Sequence, residues 1–357
     1  MTHQWLAEAF LPKYMVEQIR AKDLYLQKMQ AEHNSVRPTP TEPDATTEPV
    51  SESEEPTEPD FNAEEEAFYE LYWELSRTSF EEYLDDHPET LANGWGGIYI
   101  NEAGLNDEGT SIYTSMGEQV LAIDVPNKLL IVRVSGTGYL GVLAIGKDPA
   151  QLRCEESAGI GYYGQTVGEI VNKCGAVIGM SASGFYDPDG NGSGGGIGGY
   201  AMCKGTSYGY HYDSTGYKRI ELSSDNRFYI CNSNTNTTPD TTDAVEFSPA
   251  LIIDGELMVG GFYDWNGINP RAAIGQSERG DILMLVIEGR MVGRSIGADV
   301  ETCAKILKKH EGYTAMNLDG GTSAVMYYNG EYITRCSNQS IDSRLLPNAW
   351  VYGNYTD

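Results

Sequence analysis

Histidines and closely spaced cysteines are scarce in this 357-residue sequence. It contains five histidines, three of them at positions 3, 33 and 87, and no two of its six cysteines have C-x-x-C spacing. A three-histidine metal site, a Ser–His–Asp triad and the common zinc sites are therefore poorly supported. The sequence also lacks a phosphate-loop lysine motif and a dinucleotide-binding glycine motif, which argues against nucleotide-driven chemistry.

Long apolar runs and positive charge are scarce as well. No run approaches the roughly 20 apolar residues that span a bilayer, and residues 1–4 lack the basic start and apolar core of a signal peptide. Because apolar and aromatic residues begin as early as Trp5, we hypothesise that a membrane anchor has been removed from this end. The formal net charge of −28 argues against nucleic acid or an anionic membrane surface as a partner.

Composition divides the chain into four regions. Residues 1–34 include an imperfect amphipathic helix over residues 12–32, which suits a docking surface or a stalk. Residues 35–62 repeat Thr-Glu-Pro without apolar side chains and are predicted to form a disordered, extended linker. Residues 63–94 are predicted to form two short helices that pack on the main domain, with Ser79 as an N-cap of the second. The main domain is then residues 95–357.

The main domain is rich in short strands punctuated by glycine. Residues 129–134 and 282–287 have the β-branched and apolar bias of strands, and Asp-Gly pairs between such runs indicate hairpins. Its one convincing long helix covers residues 300–310 and ends with Lys308 and Lys309. We therefore expect an α+β domain with a mainly antiparallel or mixed sheet and few helices.

The six cysteines are spread widely through the main domain. Their even number permits up to three disulfides, and buried free thiols are the alternative. The first pairs to consider are Cys154 with Cys174 and Cys203 with Cys231.

The most informative segment is Asp319-Gly-Gly-Thr-Ser323, at the end of a short apolar run that is predicted to be a strand. Two consecutive glycines indicate a tight turn or a close backbone approach. A carboxylate there is held on a rigid platform beside open backbone N–H groups, which suits a sugar or anionic ligand. The alternative is that Asp319 merely caps the turn.

Several segments precede this motif in a fixed order: residues 179–192, 269–276, 280–290 and 295–297. Together they resemble the phosphodiester glycosidase family over roughly residues 95–355. The animal member of that family removes a capping N-acetylglucosamine from mannose 6-phosphate. The sequence departs from the family pattern at Ser181, where Asn is usual, and at Thr322, where Gly or Ser is usual.

The resemblance implies a hydrolase that cleaves a sugar-1-phosphodiester into free sugar and a phosphomonoester. Bacterial members imply a cell-wall or exopolysaccharide substrate. Together with the predicted linker and the hypothesised anchor, this indicates an extracellular or cell-surface enzyme that is membrane-anchored in its full length. A non-catalytic cell-surface module that binds phosphoglycan is the main alternative, and a calcium-stabilised adhesion domain is a third.

The available side chains suit glycosidic cleavage with a phosphate leaving group. Such cleavage needs a carboxylate at the oxocarbenium-like centre, and a forked guanidinium is the best partner for the phosphate. We therefore expect Asp319 to be the main acid and Arg271 the phosphate clamp, with Arg344 as second choice. Asp281 matches a family position and is a further catalytic candidate, although it could equally cap a turn.

The resemblance also implies the residues that contact the substrate. The loop side chains Ser183, Asp187 and Asn191 would meet sugar hydroxyls or phosphate. The remaining predicted contacts are Gly320, Gly321, Thr322, Ser323 and Asn338. Asp187, Asp189 and Asn191 also match half of a calcium loop, but position 12 is Gly198, so an EF-hand is not expected and calcium of another kind stays open. No other cofactor or metal is predicted.

Overall fold

Five α-helices and nineteen strands make up the part of the chain that the computed structural model describes. That part comprises residues 12–37, 61–106, 108–190, 192–212, 217–260 and 267–355, so most of the predicted linker lies outside it. The helices are α1 (Lys13–Glu32), α2 (Phe61–Leu71), α3 (Arg77–Asp86), α4 (Val167–Cys174) and α5 (Val300–Lys309). None of the described helices combines the length and apolarity needed to cross a membrane.

A nine-stranded sheet is the central layer of the molecule. In spatial order its strands are β1 (Tyr99–Asn101), β2 (Gln119–Asp124), β3 (Leu129–Gly136), β4 (Tyr139–Gly146), β15 (Ile282–Ile287), β14 (Arg271–Ser277), β16 (Gly312–Asn317), β12 (Ala250–Ile253) and β13 (Glu256–Leu257). Neighbouring strands pair antiparallel throughout, as β14 with β15 and β14 with β16 illustrate.

Two five-stranded sheets form a second layer. One contains β10 (Phe228–Asn232), β9 (Lys218–Ser223), β11 (Thr241–Phe247), β7 (Tyr200–Cys203) and β8 (Thr206–Gly209). The other contains β18 (Glu331–Tyr332), β17 (Met326–Tyr328), β6 (Ile178–Ser181), β19 (Asn348–Tyr352) and β5 (Leu152–Glu156). The predicted α+β class with mainly antiparallel sheets and few helices is therefore confirmed.

The central sheet is buried on both faces. Along β3, Leu129 and Ile131 join the core shared with the two smaller sheets, whereas Leu130 and Val132 join the core beneath α2, α3 and α5. Successive side chains of a strand point to opposite faces, so a strand covered on both sides needs a continuous apolar run. This explains why the run Ile282–Ile287 is entirely buried.

Local capping signals account for the helix ends, with one correction. Thr166 and Glu169 form a capping box at the start of α4, and Gly175 ends that helix in the left-handed conformation. At the start of α3, the Ser79 backbone N–H donates to Ser76 Oγ at 3.3 Å. Ser76, rather than the predicted Ser79, is therefore the N-cap, since the helix begins one turn earlier.

The cysteine pairs considered from the sequence are not formed. All six cysteines are free thiols. The sulfur of Cys154 lies 3.5 Å from that of Cys203, because β5 and β7 face each other across the two smaller sheets. Sequence spacing could not indicate this neighbour, since it depends on how the two sheets pack.

Helix α1 is docked on the main domain near its C-terminal end. The buried Gln30 side chain donates from Nε2 to the carbonyl oxygens of Ala250 and Met258, at 2.6 and 3.0 Å, and its Oε1 accepts from the Ala250 N–H at 3.2 Å. Beyond the helix, the Ser35 N–H donates to Ile230 O at 2.8 Å. This part of residues 1–34 is therefore a docking surface, not a free stalk.

Replacing Gln30 tests that docking. We expect Gln30→Ala to lower the free energy of unfolding by about 2–4 kcal/mol, because it removes three hydrogen bonds to backbone groups of the main domain. Gln27→Ala, at an exposed position of the same helix, should change it by less than about 0.5 kcal/mol. Urea denaturation measures both values. Equal stability of the two variants would show that the helix is not docked as described.

Candidate active site

The backbone of Asp319 lies where the central sheet meets a smaller sheet. The preceding Leu318 N–H donates to Ala272 O at 2.8 Å, and the Asp319 N–H donates to Ala182 O at 3.3 Å. The hydroxyl of Ser181 donates to Asp319 O at 3.2 Å. Ser181, which departs from the family pattern, therefore helps to hold the acidic residue in place.

The two glycines after Asp319 are required by close backbone packing. The Gly321 N–H donates to Pro270 O at 2.9 Å. A Cβ atom at Gly320 would lie 2.6 Å from that same carbonyl oxygen, and Gly321 has a positive φ of 59°. Only glycine satisfies both conditions without displacing the turn.

Asp319 lies on the wall between two lobes of one cleft. The first lobe has a volume of about 500 Å³ and is lined by Phe185, Asp187, Gly190, Arg290, Asp319, Gly320, Gly321, Thr322, Ser323, Asn338, Ile341 and Arg344. The second, of about 430 Å³, is lined by Phe247, Asn269, Pro270, Arg271, Arg290, Asn317, Leu318, Asp319, Gly320 and Gly321. The lobes share Arg290 and the Asp319 turn and are therefore adjacent.

The protein environment makes Asp319 a weaker acid than usual. Burial raises its pKa to about 6, and the negative charge of Asp187 acts in the same direction. A hydrogen bond with the Ser323 side chain and the positive charge of Arg344 lower the pKa and so offset part of the increase. The group is therefore mostly ionised at neutral pH but can accept a proton slightly below it.

A bidentate ion pair organises the first lobe. Arg344 donates from Nη1 and Nη2 to the two carboxylate oxygens of Asp187, at 2.7 and 2.8 Å. The hydrogen bond from Arg344 holds the pKa of Asp187 below its usual range, so this carboxylate is charged. The Arg344 guanidinium also lies 4.7 Å from the Phe185 ring centroid. Two predicted contact residues thus meet as one preorganised unit.

Arg290 is a candidate site residue that the sequence reasoning missed. Its side chain is exposed, it lines both lobes, and its Nη2 donates to Asn269 Oδ1 at 3.0 Å. Its φ of 61° is unusual for a non-glycine residue and is often associated with function. The available signal was its position, three residues after the end of β15 and at the end of the segment 280–290 that resembles the family.

Arg271 lines the second lobe together with Asp319. Its side chain is buried; Nε donates to Ala298 O at 3.0 Å, and Nη2 donates to Gly267 O. The structure therefore brings together the two residues predicted to converge, although backbone carbonyls already hold part of the Arg271 guanidinium.

Asp281 requires a correction, because it lies at the other end of the central sheet. Arg271 pairs with Ile287 across β14 and β15, whereas Asp281 precedes Ile282, which pairs with Gln276. Its carboxylate accepts from Lys147 Nζ at 3.0 Å within a buried charged cluster. Antiparallel pairing thus separates Asp281 from the cleft by the length of a strand, and its carboxylate belongs to that charged cluster instead.

Ser183 also lies away from the surface of the cleft. It is buried, its N–H donates to Asn348 Oδ1 and its Oγ accepts from Asn348 Nδ2, both at 3.0 Å. It supports the neighbouring backbone and does not offer a substrate contact. The other predicted loop residue, Asn191, lies outside the described residues.

The remaining predicted contacts line the first lobe. They are Gly320, Gly321, Thr322, Ser323 and Asn338. The Thr322 hydroxyl accepts from Ser337 Oγ at 3.1 Å, so it keeps its own proton available for a ligand acceptor.

No group of three His, Cys, Asp or Glu residues is arranged to hold a metal ion in the described ranges. Of the calcium-loop candidates, Asp187 is paired with Arg344, and Asn191 and the side chain of Asp189 lie outside what the structure describes. Calcium binding therefore stays a prediction.

The sequence profile of the phosphodiester glycosidase family matches residues 174–352, and the chain belongs to this family. The fold is similar to the catalytic domain of zebrafish N-acetylglucosamine-1-phosphodiester alpha-N-acetylglucosaminidase, a structure described as auto-inhibited by its pro-peptide. That match has 16% sequence identity and a TM-score of 0.52, and covers 74% of this chain and 90% of that one. A hypothetical protein from Synechocystis is similar at 13% identity and a TM-score of 0.47, over 67% of this chain and 65% of that one. No curated protein sequence matches the chain.

Proposed function

We propose that the protein is a glycosidase that hydrolyses a sugar-1-phosphodiester, releasing the free sugar and a phosphomonoester. The observation that carries this proposal is the place of Asp319 between two lobes whose shared wall also contains Arg290. A sugar in the first lobe and the group on its phosphate in the second would set the scissile bond beside the carboxylate.

Asp319 acts on the sugar in this proposal. As the glycosidic bond breaks, positive charge develops at the anomeric carbon, and an adjacent carboxylate stabilises it or attacks it. Only the ionised form can do so, and a pKa of about 6 leaves Asp319 ionised at neutral pH. The Asp187–Arg344 pair, Thr322 and Asn338 supply hydrogen-bonding groups for the sugar hydroxyls.

The guanidinium groups act on the phosphate. A phosphate ester leaves as an anion, so a fixed cation assists its departure without a proton donor. Arg290 is exposed in both lobes, and Arg271 lies behind it in the second. We therefore assign the main phosphate contact to Arg290 and a supporting one to Arg271.

The charge of the cleft suits a phosphoglycan. Its lining contains three arginines and two aspartates, whereas the whole chain has a net charge of −28. A cationic cleft on an acidic protein favours an anionic substrate at this place. We propose a cell-wall or exopolysaccharide phosphodiester as the substrate, and action outside the cell or at its surface from a membrane anchor.

Replacing Asp319 tests the proposed chemistry. Asp319→Asn should fold normally and lose at least about a hundredfold in kcat, a usual loss for a group that stabilises developing charge. A panel of nucleotide-sugars and sugar-1-phosphodiesters provides the substrates, and Asp342→Asn, at an exposed position, is the matched control.

For the wild type, kcat/KM should fall about tenfold per pH unit below pH 6 as Asp319 is protonated.

Two outcomes would contradict this assignment. Unchanged turnover in Asp319→Asn would remove the carboxylate from the mechanism. Binding of a phosphoglycan by the wild type without any turnover would instead favour the non-catalytic binding module.

Replacing Arg290 tests the phosphate contact. Arg290→Gln should lower kcat/KM for a sugar-1-phosphodiester by about 10- to 100-fold, because it removes a charged hydrogen-bond donor. It should change the rate on a 4-nitrophenyl glycoside, which has no phosphate, by less than about threefold. Arg279→Gln, at the far end of the central sheet, is the control. An equal loss on both substrates would show that Arg290 does not contact the phosphate.

A further inference from the structure

Two buried thiols meet where the two smaller sheets face each other. Cys154 belongs to β5 of one sheet and Cys203 to β7 of the other, and the side chains are 0% and 1% exposed. Their sulfur atoms lie 3.5 Å apart. The sulfurs of a disulfide are about 2 Å apart, so a shift of about 1.5 Å would allow a bond between them.

Contacts that do not involve the sulfurs hold the two strands in this register. The Asp243 Oδ1 atom accepts from the backbone N–H of Cys154 at 3.1 Å and from that of Lys204 at 2.9 Å. The Lys204 Nζ atom donates to Glu155 Oε2 at 2.8 Å. One carboxylate and one ion pair thus join the backbones next to the two cysteines, and the thiols are opposed as a consequence.

The other described thiols have different surroundings. The thiols of Cys174 and Cys336 each donate to a backbone carbonyl oxygen at 3.4 Å. Cys303 lies in α5, in the core on the other face of the central sheet. The packing therefore favours the pair Cys154–Cys203 over both pairs that the sequence suggested.

We propose that Cys154 and Cys203 form a disulfide bond when the chain folds in the presence of a disulfide oxidant such as oxidised glutathione. One cysteine thiolate attacks the oxidant to form a mixed disulfide, and the other cysteine then displaces the remaining glutathione. Two protein S–H bonds and the S–S bond of the oxidant break, and one protein S–S bond forms. The two electrons and two protons leave with two molecules of reduced glutathione.

The bond has to form before the two sheets have packed. The thiolate is the attacking species in disulfide exchange, and burial raises the pKa of the Cys154 thiol well above its usual value. Burial of both sulfurs also excludes the oxidant from the folded protein. Exchange therefore belongs to folding, and the proposed action outside the cell is compatible with it because disulfides persist there.

The disulfide would close a loop of residues 154–203, which includes the first-lobe residues Phe185 and Asp187. The Asn348 Nδ2 atom donates to Cys154 Sγ at 3.4 Å and to Ser183 Oγ at 3.0 Å. A disulfide sulfur can still accept such a bond, so the support of Ser183 is kept. A closed loop of this length restricts the unfolded chain and should raise the Tm by about 5–10 °C.

Refolding of the full chain tests the proposal. The protein is unfolded in guanidinium chloride with dithiothreitol and then refolded with either mixed oxidised and reduced glutathione or reduced glutathione alone. Thiol titration in denaturant should find four of the six thiols after the first treatment and all six after the second. Peptide mapping without reduction should find the Cys154 peptide joined to the Cys203 peptide, and the oxidised protein should melt at the higher temperature.

Two variants provide the matched comparison. Cys203→Ala should lose both the cross-link and the difference in Tm between the two treatments, whereas Cys174→Ala should keep both. The wild-type comparison does not depend on how either variant folds. Six free thiols after oxidative refolding, or a cross-link that joins any other pair of cysteines, would overturn the proposal.

Discussion

The close approach of the Asp319–Gly320–Gly321 turn to the carbonyl oxygen of Pro270 determines the geometry of the cleft. It leaves no room for a Cβ atom at Gly320, and it directs the turn between the two lobes. Hydrogen bonds from Asp319 to Ala182 and from Ser181 to Asp319 tie the same turn to the smaller sheet. The carboxylate is thus partly buried by backbone packing, and its raised pKa is a consequence.

The charges of the cleft complement one another around that carboxylate. Arg344 is paired with Asp187 in the first lobe, and Arg290 extends along the shared wall from a backbone conformation that few non-glycine residues adopt. Arg271 is held by backbone carbonyls in the second lobe. In the proposed function this carboxylate acts on the sugar and these cations act on the phosphate, as cleavage of a glycosyl phosphate requires.

Sequence patterns predicted the elements whose determinants are local, and missed those set by sheet packing. The glycine pair after a short apolar run pointed to Asp319, and the segment 300–310 with its two terminal lysines indicated α5. Asp281 was misassigned because a sequence does not show which end of a strand meets the site. Ser183 was predicted to contact the substrate because it lies in the loop, but its side chain is buried away from the cleft. The docking of α1 was not predicted, because Gln30 holds the helix through polar contacts that a hydrophobic pattern does not show.

The bond that is broken distinguishes a glycosidase from a phosphodiesterase most directly. Hydrolysis of a sugar-1-phosphodiester in water enriched in oxygen-18, followed by phosphorus NMR and mass spectrometry of the products, identifies that bond. If Asp319 acts at the anomeric carbon, the label enters the sugar hydroxyl and the phosphomonoester contains none. Label in the phosphomonoester would mean attack at phosphorus, and would contradict the role of Asp319 and of the two lobes around it.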